Sequence, residues 1–272
     1  MSRTSTANPA STYEVVAVRY GSRRTVKSDV FLNYAVYGEP DAPIGMDYYF
    51  WIVRNDERTI LIDCGFDPEV GLRRGRDVLC PPIEALARFD LEPRDIDLLV
   101  VTHAHYDHIG NLGELPGTPL LISDAELHFW TEGLGCRSQF SHSTEPLELD
   151  HLATAAHGGR VTTFSGVARP FPGIEVHELG GHTPGQCIVV VEAADGTTVV
   201  LASDASHYYE ELDLDRPFSF VADLPAMYRG FDTLTEMTQR PRHHMVPGHD
   251  PAVMARYPRC SGDLADLAVR LG

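Results

Sequence analysis

"LLVVTHAHYDHIGN", residues 98–111, sets three histidines and an aspartate within six positions at the end of an aliphatic run. The run reads as a buried strand. His103 and His105 are two apart, so an extended backbone after Val101 would point both imidazoles to one side. Asp107 and His108 follow where the chain must turn. A strand end that offers two nitrogens, then bends to offer a carboxylate and a third nitrogen, suits a metal ion. With 13 histidines in the chain, the pattern HxHxDH would arise by accident on the order of a few times in a thousand.

Three later stretches repeat the theme. "ELGGHTPGQ" puts His182 among glycines, "LASDASH" puts Asp204 after an apolar strand, and "MVPGHDP" puts His249 in a turn after another. Together with His103, His105, Asp107 and His108 they supply five imidazoles and two carboxylates, enough for two zinc ions with a position left for water. Cobalt, manganese or iron would accept the same ligands.

The chain has 272 residues, 43% of them hydrophobic, ample for a folded core. Its net charge of −17, with no basic run, would repel a phosphate backbone, so nucleic acid is not an expected partner. No apolar run is long enough to span a bilayer and the first residues lack a signal peptide's apolar region, which points to a cytoplasmic protein with no membrane partner. Residues 1–12 read as a mobile tail, followed by one domain over 13–272. Five scattered cysteines without a CxxC pair argue against a disulfide framework or a thiolate zinc site.

Strands are expected at 13–20, 48–54, 58–63 and 96–101, with hairpins through "VRNDERTIL" and around Ala194-Asp195-Gly196. "SDAELHFW" opens with Ser123 and has Glu126 three residues on, a capping-box pattern. "LPAMYRGFDTLTEM" carries Leu224, Met227, Tyr228, Phe231, Leu234 and Met237 on one helical face, which reads as core packing.

These motifs, in this order, resemble the metallo-β-lactamase superfamily from about residue 13 to the end. The resemblance implies an α+β fold, an αββα sandwich. It also implies that His103, His105 and His182 hold one metal, that Asp107, His108 and His249 hold the other, and that Asp204 bridges them. Asp63, in "LIDCGF", would support the site without ligating. "GGHTPGQ", "SDAS" and "PGHDP" are similar to the N-acyl-homoserine lactonases within that superfamily, which implies ring opening of an acylated lactone by a metal-bridging hydroxide, with Asp204 relaying a proton. Those enzymes often carry a tyrosine three residues after the bridging aspartate to bind the substrate carbonyl. Here His207 stands at that position and Tyr208 follows, so either could take the role. Related lactonases include monomers and dimers, and a homodimer is the expectation drawn from them.

Aromatic segments at 46–51, 127–130, 138–141 and 216–228 are expected to wall a slot for an acyl chain. The seven remaining histidines, His243-His244 among them, read as ordinary surface or core residues. Rival readings are a same-fold hydrolase of another lactone, ester, cyclic amide or glutathione thioester, a phosphodiesterase, and an inactive binding protein. Arg256, Arg259 and Arg270 would be the thioesterase's anchors, whereas the negative charge weighs against the phosphodiesterase and the full ligand set against the binding protein.

Overall fold

A computed structural model describes residues 11–272, and the expected tail falls almost wholly outside that range. The first sheet takes Glu14–Val26 (β1), Pro43–Arg54 (β2), Thr59–Ile62 (β3), Asp77–Val78 (β4), Leu98–Val100 (β5), Leu120–Ser123 (β6) and Val161–Phe164 (β7). The second takes Val167–Phe171 (β8), Ile174–Glu178 (β9), Cys187–Glu192 (β10), Thr198–Ser203 (β11) and His243–Pro247 (β12). The final strand, Ala268–Arg270 (β13), returns to pair with β1 at the edge of the first sheet.

The first sheet runs β13-β1-β2-β3-β5-β6-β7, with β4 on the side of β1, and the second runs β12-β11-β10-β9-β8. Both expected hairpins are present, as the antiparallel pairs β2/β3 and β10/β11. From β3 to β7 the pairing is parallel, so the strand ends carrying Asp63, the His103 loop and the helix after β6 all emerge on one edge.

Side-chain alternation explains the layering. In β2, Met46, Tyr48, Phe50 and Ile52 face one core, while Tyr49, Trp51 and Val53 face another. In β11, Val199 and Leu201 meet that second core, and Val200 and Ala202 face a third with Leu234 and Met237 of helix Leu224–Thr238. Three apolar layers separating helices, sheet, sheet and helices make the αββα sandwich, the central strands such as β2 and β11 being apolar on both faces because both are covered. The helical stripe of 224–237 is packed into the molecule, as its spacing suggests, although Leu224 and Tyr228 are only partly covered.

The capping box is half formed. Ser123 Oγ accepts from the Glu126 amide at 3.3 Å, but the Glu126 carboxylate does not reach back to cap. It is fully buried and accepts from the Ala104 amide, Trp130 Nε1, Thr183 Oγ1 and the Gly185 amide, at 2.7 to 3.0 Å. Four donors from three separate segments outweigh one local amide, and the tertiary role takes the side chain. Glu126 thus ties the loop bearing His103 and His105 to the loop bearing His182. Among the described residues no helix is long and apolar enough to cross a membrane.

Candidate metal centre

The cage forms where strand ends meet. β3 is followed by Asp63 (φ 59°) and β11 ends at Ser203 (φ 45°), both in the left-handed region, which few side chains occupy without local support. Those turns swing Asp63 beneath the His103 loop and Asp204 across it. β5 stops at Val100. His105 then precedes a single helical turn, Tyr106–Ile109, that carries Asp107 and His108. His249 is brought in by the turn after β12. A side chain at Gly248 would strike the Ser203 carbonyl and Asp204 Oδ1, at 2.7 and 2.8 Å, so glycine is what lets that turn close.

All seven expected ligands converge. His103 Nε2 and His182 Nε2 each lie 3.0 Å from His105 Nδ1, and Asp204 Oδ2 lies 3.6 Å from His103 Nε2 and 3.4 Å from His182 Nε2. On the other side, Asp204 Oδ1 lies 3.3 Å from His108 Nε2 and 3.1 Å from His249 Nε2. Both those nitrogens are within 3.8 Å of Asp107 Oδ2. Zinc bonds of about 2.0–2.1 Å in a tetrahedron imply ligand separations of roughly 3.3 Å. The seven residues fall into one set of four that includes Asp204 and one set of three.

The chemistry of the donors fits a cation better than it fits hydrogen bonding. His182 Nδ1 donates to the Phe220 carbonyl at 2.9 Å and His249 Nδ1 to the Asp47 carbonyl at 2.8 Å, so each presents a bare Nε2 to the cage. His108 Nδ1 donates to Asp63 Oδ2 at 2.7 Å, while His108 Nε2 and Asp204 Oδ1 are buried without a hydrogen-bond partner. Burial, and after it neighbouring imidazoles, hold His103 and His105 well below the usual range. Burial likewise pushes His182 down to about 3, leaving all three neutral with free lone pairs. Burial opposes protonation of His108 too, but the carboxylates of Asp204, Asp63 and Asp107 overcome it and raise that imidazole. Burial would raise Asp204, yet His207, His249 and His108 hold it far below the usual carboxylate range. A site that lowers a carboxylate by crowding it with imidazoles is one where metal cations would do the same work.

Asp63 is held by the Thr102 amide and hydroxyl at 2.8 and 2.7 Å, and through His108 it orients the cage from behind. His207 joins the cage as an eighth group. Its Nε2 lies 3.0 Å from Asp204 Oδ2, its Nδ1 lies 3.2 Å from the buried Glu211, and its ring stacks on Phe218 at 3.6 Å. Burial opposes its protonation, yet Asp204 and Glu211 raise it to about 9. Tyr208 is not brought to the cage. Its hydroxyl donates to the Gly45 carbonyl at 3.1 Å and its ring packs among core residues beside Phe31. His243 and His244 lie on β12 away from the cage, and His244 Nε2 donates to the Leu271 carbonyl.

A cleft of about 260 Å³ opens over the cage. Met46, Tyr48, Phe218 and Phe220 line it, as two of the four aromatic segments suggest. The other two do not reach it. Phe129 and Phe140 pack on each other at 5.1 Å, and Trp130 stands edge-on to His105 at 5.7 Å with its indole given to Glu126. Sequence reasoning missed His142, treated as an ordinary histidine, and missed Arg23, Arg74 and Arg76, which share the cleft mouth.

The chain matches the metallo-β-lactamase superfamily model over residues 46–249. An N-acyl homoserine lactonase of Bacillus sp is 24% identical over 225 residues, covering 78% of this chain and 84% of that one. The human metallo-beta-lactamase domain-containing protein 1 is 31% identical over 172 residues, covering 61% of this chain and 52% of its own length. An N-acyl homoserine lactone hydrolase, solved with N-hexanoyl-L-homoserine at its metal centre, superposes with a TM-score of 0.73 at 20% identity over 93% of this chain and 98% of its own, a likeness of fold. The chain belongs to the metallo-β-lactamase superfamily, as one of its hydrolases.

Proposed function

We propose that this protein is a dinuclear zinc hydrolase that opens a lactone ring, with N-acyl-homoserine lactones as its substrates and quorum quenching as the consequence. The observation that carries the reading is the double cage. His103, His105, His182 and Asp204 would hold one ion, and Asp107, His108, His249 and Asp204 the other. Two zinc ions so held would supply Lewis acidity and lower the pKa of a bound water toward about 7. Likeness to lactonases over most of the chain supports the ring-opening assignment above other hydrolytic chemistry.

The chain's own groups do the rest. Asp204 sits between both ligand sets, placed to accept the proton of the attacking water at a carboxylate oxygen. His207 lines the cleft, with its Nε2 3.0 Å from Asp204 Oδ2 and its far nitrogen 3.2 Å from Glu211. With Asp204 engaged by the ions, the Nε2–H would be free to donate to the substrate carbonyl as charge develops on it. Phe218 fixes the ring plane by stacking. Phe220, edge-on to His105 at 4.8 Å, keeps water from that side.

The test is proton release by metal-analysed protein on N-acyl homoserine lactones of increasing acyl length, beside a simple ester and a glutathione thioester. Ring opening that exceeds the other two supports the reading. Turnover of the ester or thioester alone replaces it.

A further inference from the structure

The cleft mouth carries charge that the cage does not use. The side chain of Arg23, on β1 opposite Met46, makes no hydrogen bond or ion pair with any described residue, and its Nε is buried from solvent without a partner. Arg76 gives Nε to the Tyr106 hydroxyl at 2.9 Å and Nη1 to the Arg74 carbonyl at 2.8 Å; it makes no ion pair with a described carboxylate, and Asp107 of the cage acts on it only at longer range. Arg74 is different. It spans Glu145 and the carbonyls of His142 and Thr144, a strut that holds the rim. In a chain with 39 acidic and 22 basic residues, partners for surface arginines are plentiful. Two partly covered guanidiniums facing a cleft without one have been left available.

Their position relates them to the cage. Tyr48 stands edge-on to His249 at 5.1 Å, and the Arg76 guanidinium carbon lies 5.8 Å from the same ring. The Tyr48 hydroxyl lies within the electrostatic reach of Arg76, Asp107 and Arg23 together. One aromatic ring therefore separates the cage from the cationic mouth. Apart from the cage's Asp107 and Asp204, the cleft is lined by one carboxylate, Asp29, which is exposed and accepts from Thr25.

We infer that Arg23 and Arg76 form an oxyanion subsite beside the metal cage, so that the preferred substrate carries an anionic group, carboxylate or phosphate, away from the bond that is hydrolysed. The inference rests on the hydrolase reading for the location of that bond. A guanidinium matches either oxyanion with paired donors. On an acylated lactone the group would lie at the far end of the acyl part, and the slot would select for charge where an apolar wall would select for length.

Binding to the metal-loaded protein, read by calorimetry, tests this without turnover. The probes are monocarboxylic acids, diacids of equal length from succinate to suberate, and ω-phosphono acids of the same lengths. The expected result is that a dianion of fitting length binds about tenfold tighter than its monoacid, the scale of one charge-assisted hydrogen bond in a partly wet site. The tighter of the two dianion series names the oxyanion. Arg23→Gln, which removes no described protein contact, and Arg76→Gln should each bring the ratio close to one. Equal binding of monoacids and dianions, or a preference that survives in both variants, overturns the inference. Arginine-dependent dianion binding by a protein that opens no lactone would keep the subsite and remove the lactonase reading. Lactone opening without that preference would do the reverse.

Discussion

The cage and the cleft mouth lie one ring apart and are built on opposite terms. In the cage, each charged or basic group answers another: His108 lies between Asp63 and Asp204, His207 between Asp204 and Glu211. Behind it Glu126 collects four donors. At the mouth, Arg23 answers nothing described, and Arg76 has only a phenol and a carbonyl. Glu148, which lines a separate pocket, is also buried with neither oxygen hydrogen-bonded. The contrast teaches that satisfaction here tracks role. Groups that would position metal are braced from behind and turn their free atoms to the ions, and on the subsite inference the mouth arginines would be satisfied by a ligand.

The comparison breaks first at the cage. His103→Ala or Asp107→Ala should lower lactone turnover by at least about a thousandfold, because several kcal/mol of Lewis-acid stabilisation depend on the ions. Metal analysis of the same samples should show fewer than two ions per chain. Full turnover in a metal-poor His103→Ala protein would refute the mechanism. A smaller effect is expected one step out. His207→Gln should reduce kcat by about a hundredfold with little change in metal content, the usual scale for losing one transition-state donor. A parallel loss of metal would instead make His207 a ligand, as its grouping with Asp204 and His249 also permits.

Behind the cage, Asp63→Asn should weaken metal affinity by about 10–100-fold, measured by chelator competition, since it loosens His108 without removing a ligand. Glu148 sharpens the contrast from the other direction. Burial, helped by Glu145 and Asp107, pushes its carboxyl up to about 8 from 4.5. A raised carboxyl favours folding below the unfolded value, and that advantage is lost as pH rises through the folded value. In metal-free protein, stability should therefore fall between about pH 4.5 and 8, by about 5 kcal/mol as an order of magnitude. Glu148→Met should flatten that part of the denaturation profile, whereas an unchanged profile would place the pH dependence elsewhere. Smallest of all, Tyr208→Phe should leave kcat within a few-fold and cost about 1 kcal/mol of stability, because its hydroxyl serves the Gly45 carbonyl.

What was legible in the chain follows from how each part is encoded. The cage ligands are unusual residue types at the ends of apolar runs, so type and place together reveal them. The strands were legible as short apolar runs closed by polar, glycine or proline residues, whereas their layering was implied only by the resemblance of the motifs to the superfamily. The mouth draws single residues from β1, from the loop after helix Pro68–Arg73 and from the 218–220 loop, and no local pattern joins them. A signal did exist. "RRGR" at 73–76 is a short basic run, contrary to the reading that the chain has none, and it supplies both Arg74 and Arg76. Glu126 was legible as a helix-start residue and misread as a cap, since spacing alone says nothing of the three distant donors, from Ala104, Thr183 and Gly185, that compete for it. Tyr208 and His207 were indistinguishable by position, because the turn after β11 decides which side chain faces the metals.

The most direct test of the account is to strip the protein with a chelator, return zinc in measured steps, and follow ring opening of one acylated homoserine lactone at each step. The account predicts negligible turnover without metal and a rise that saturates at two equivalents per chain. Turnover that is complete without metal would contradict it.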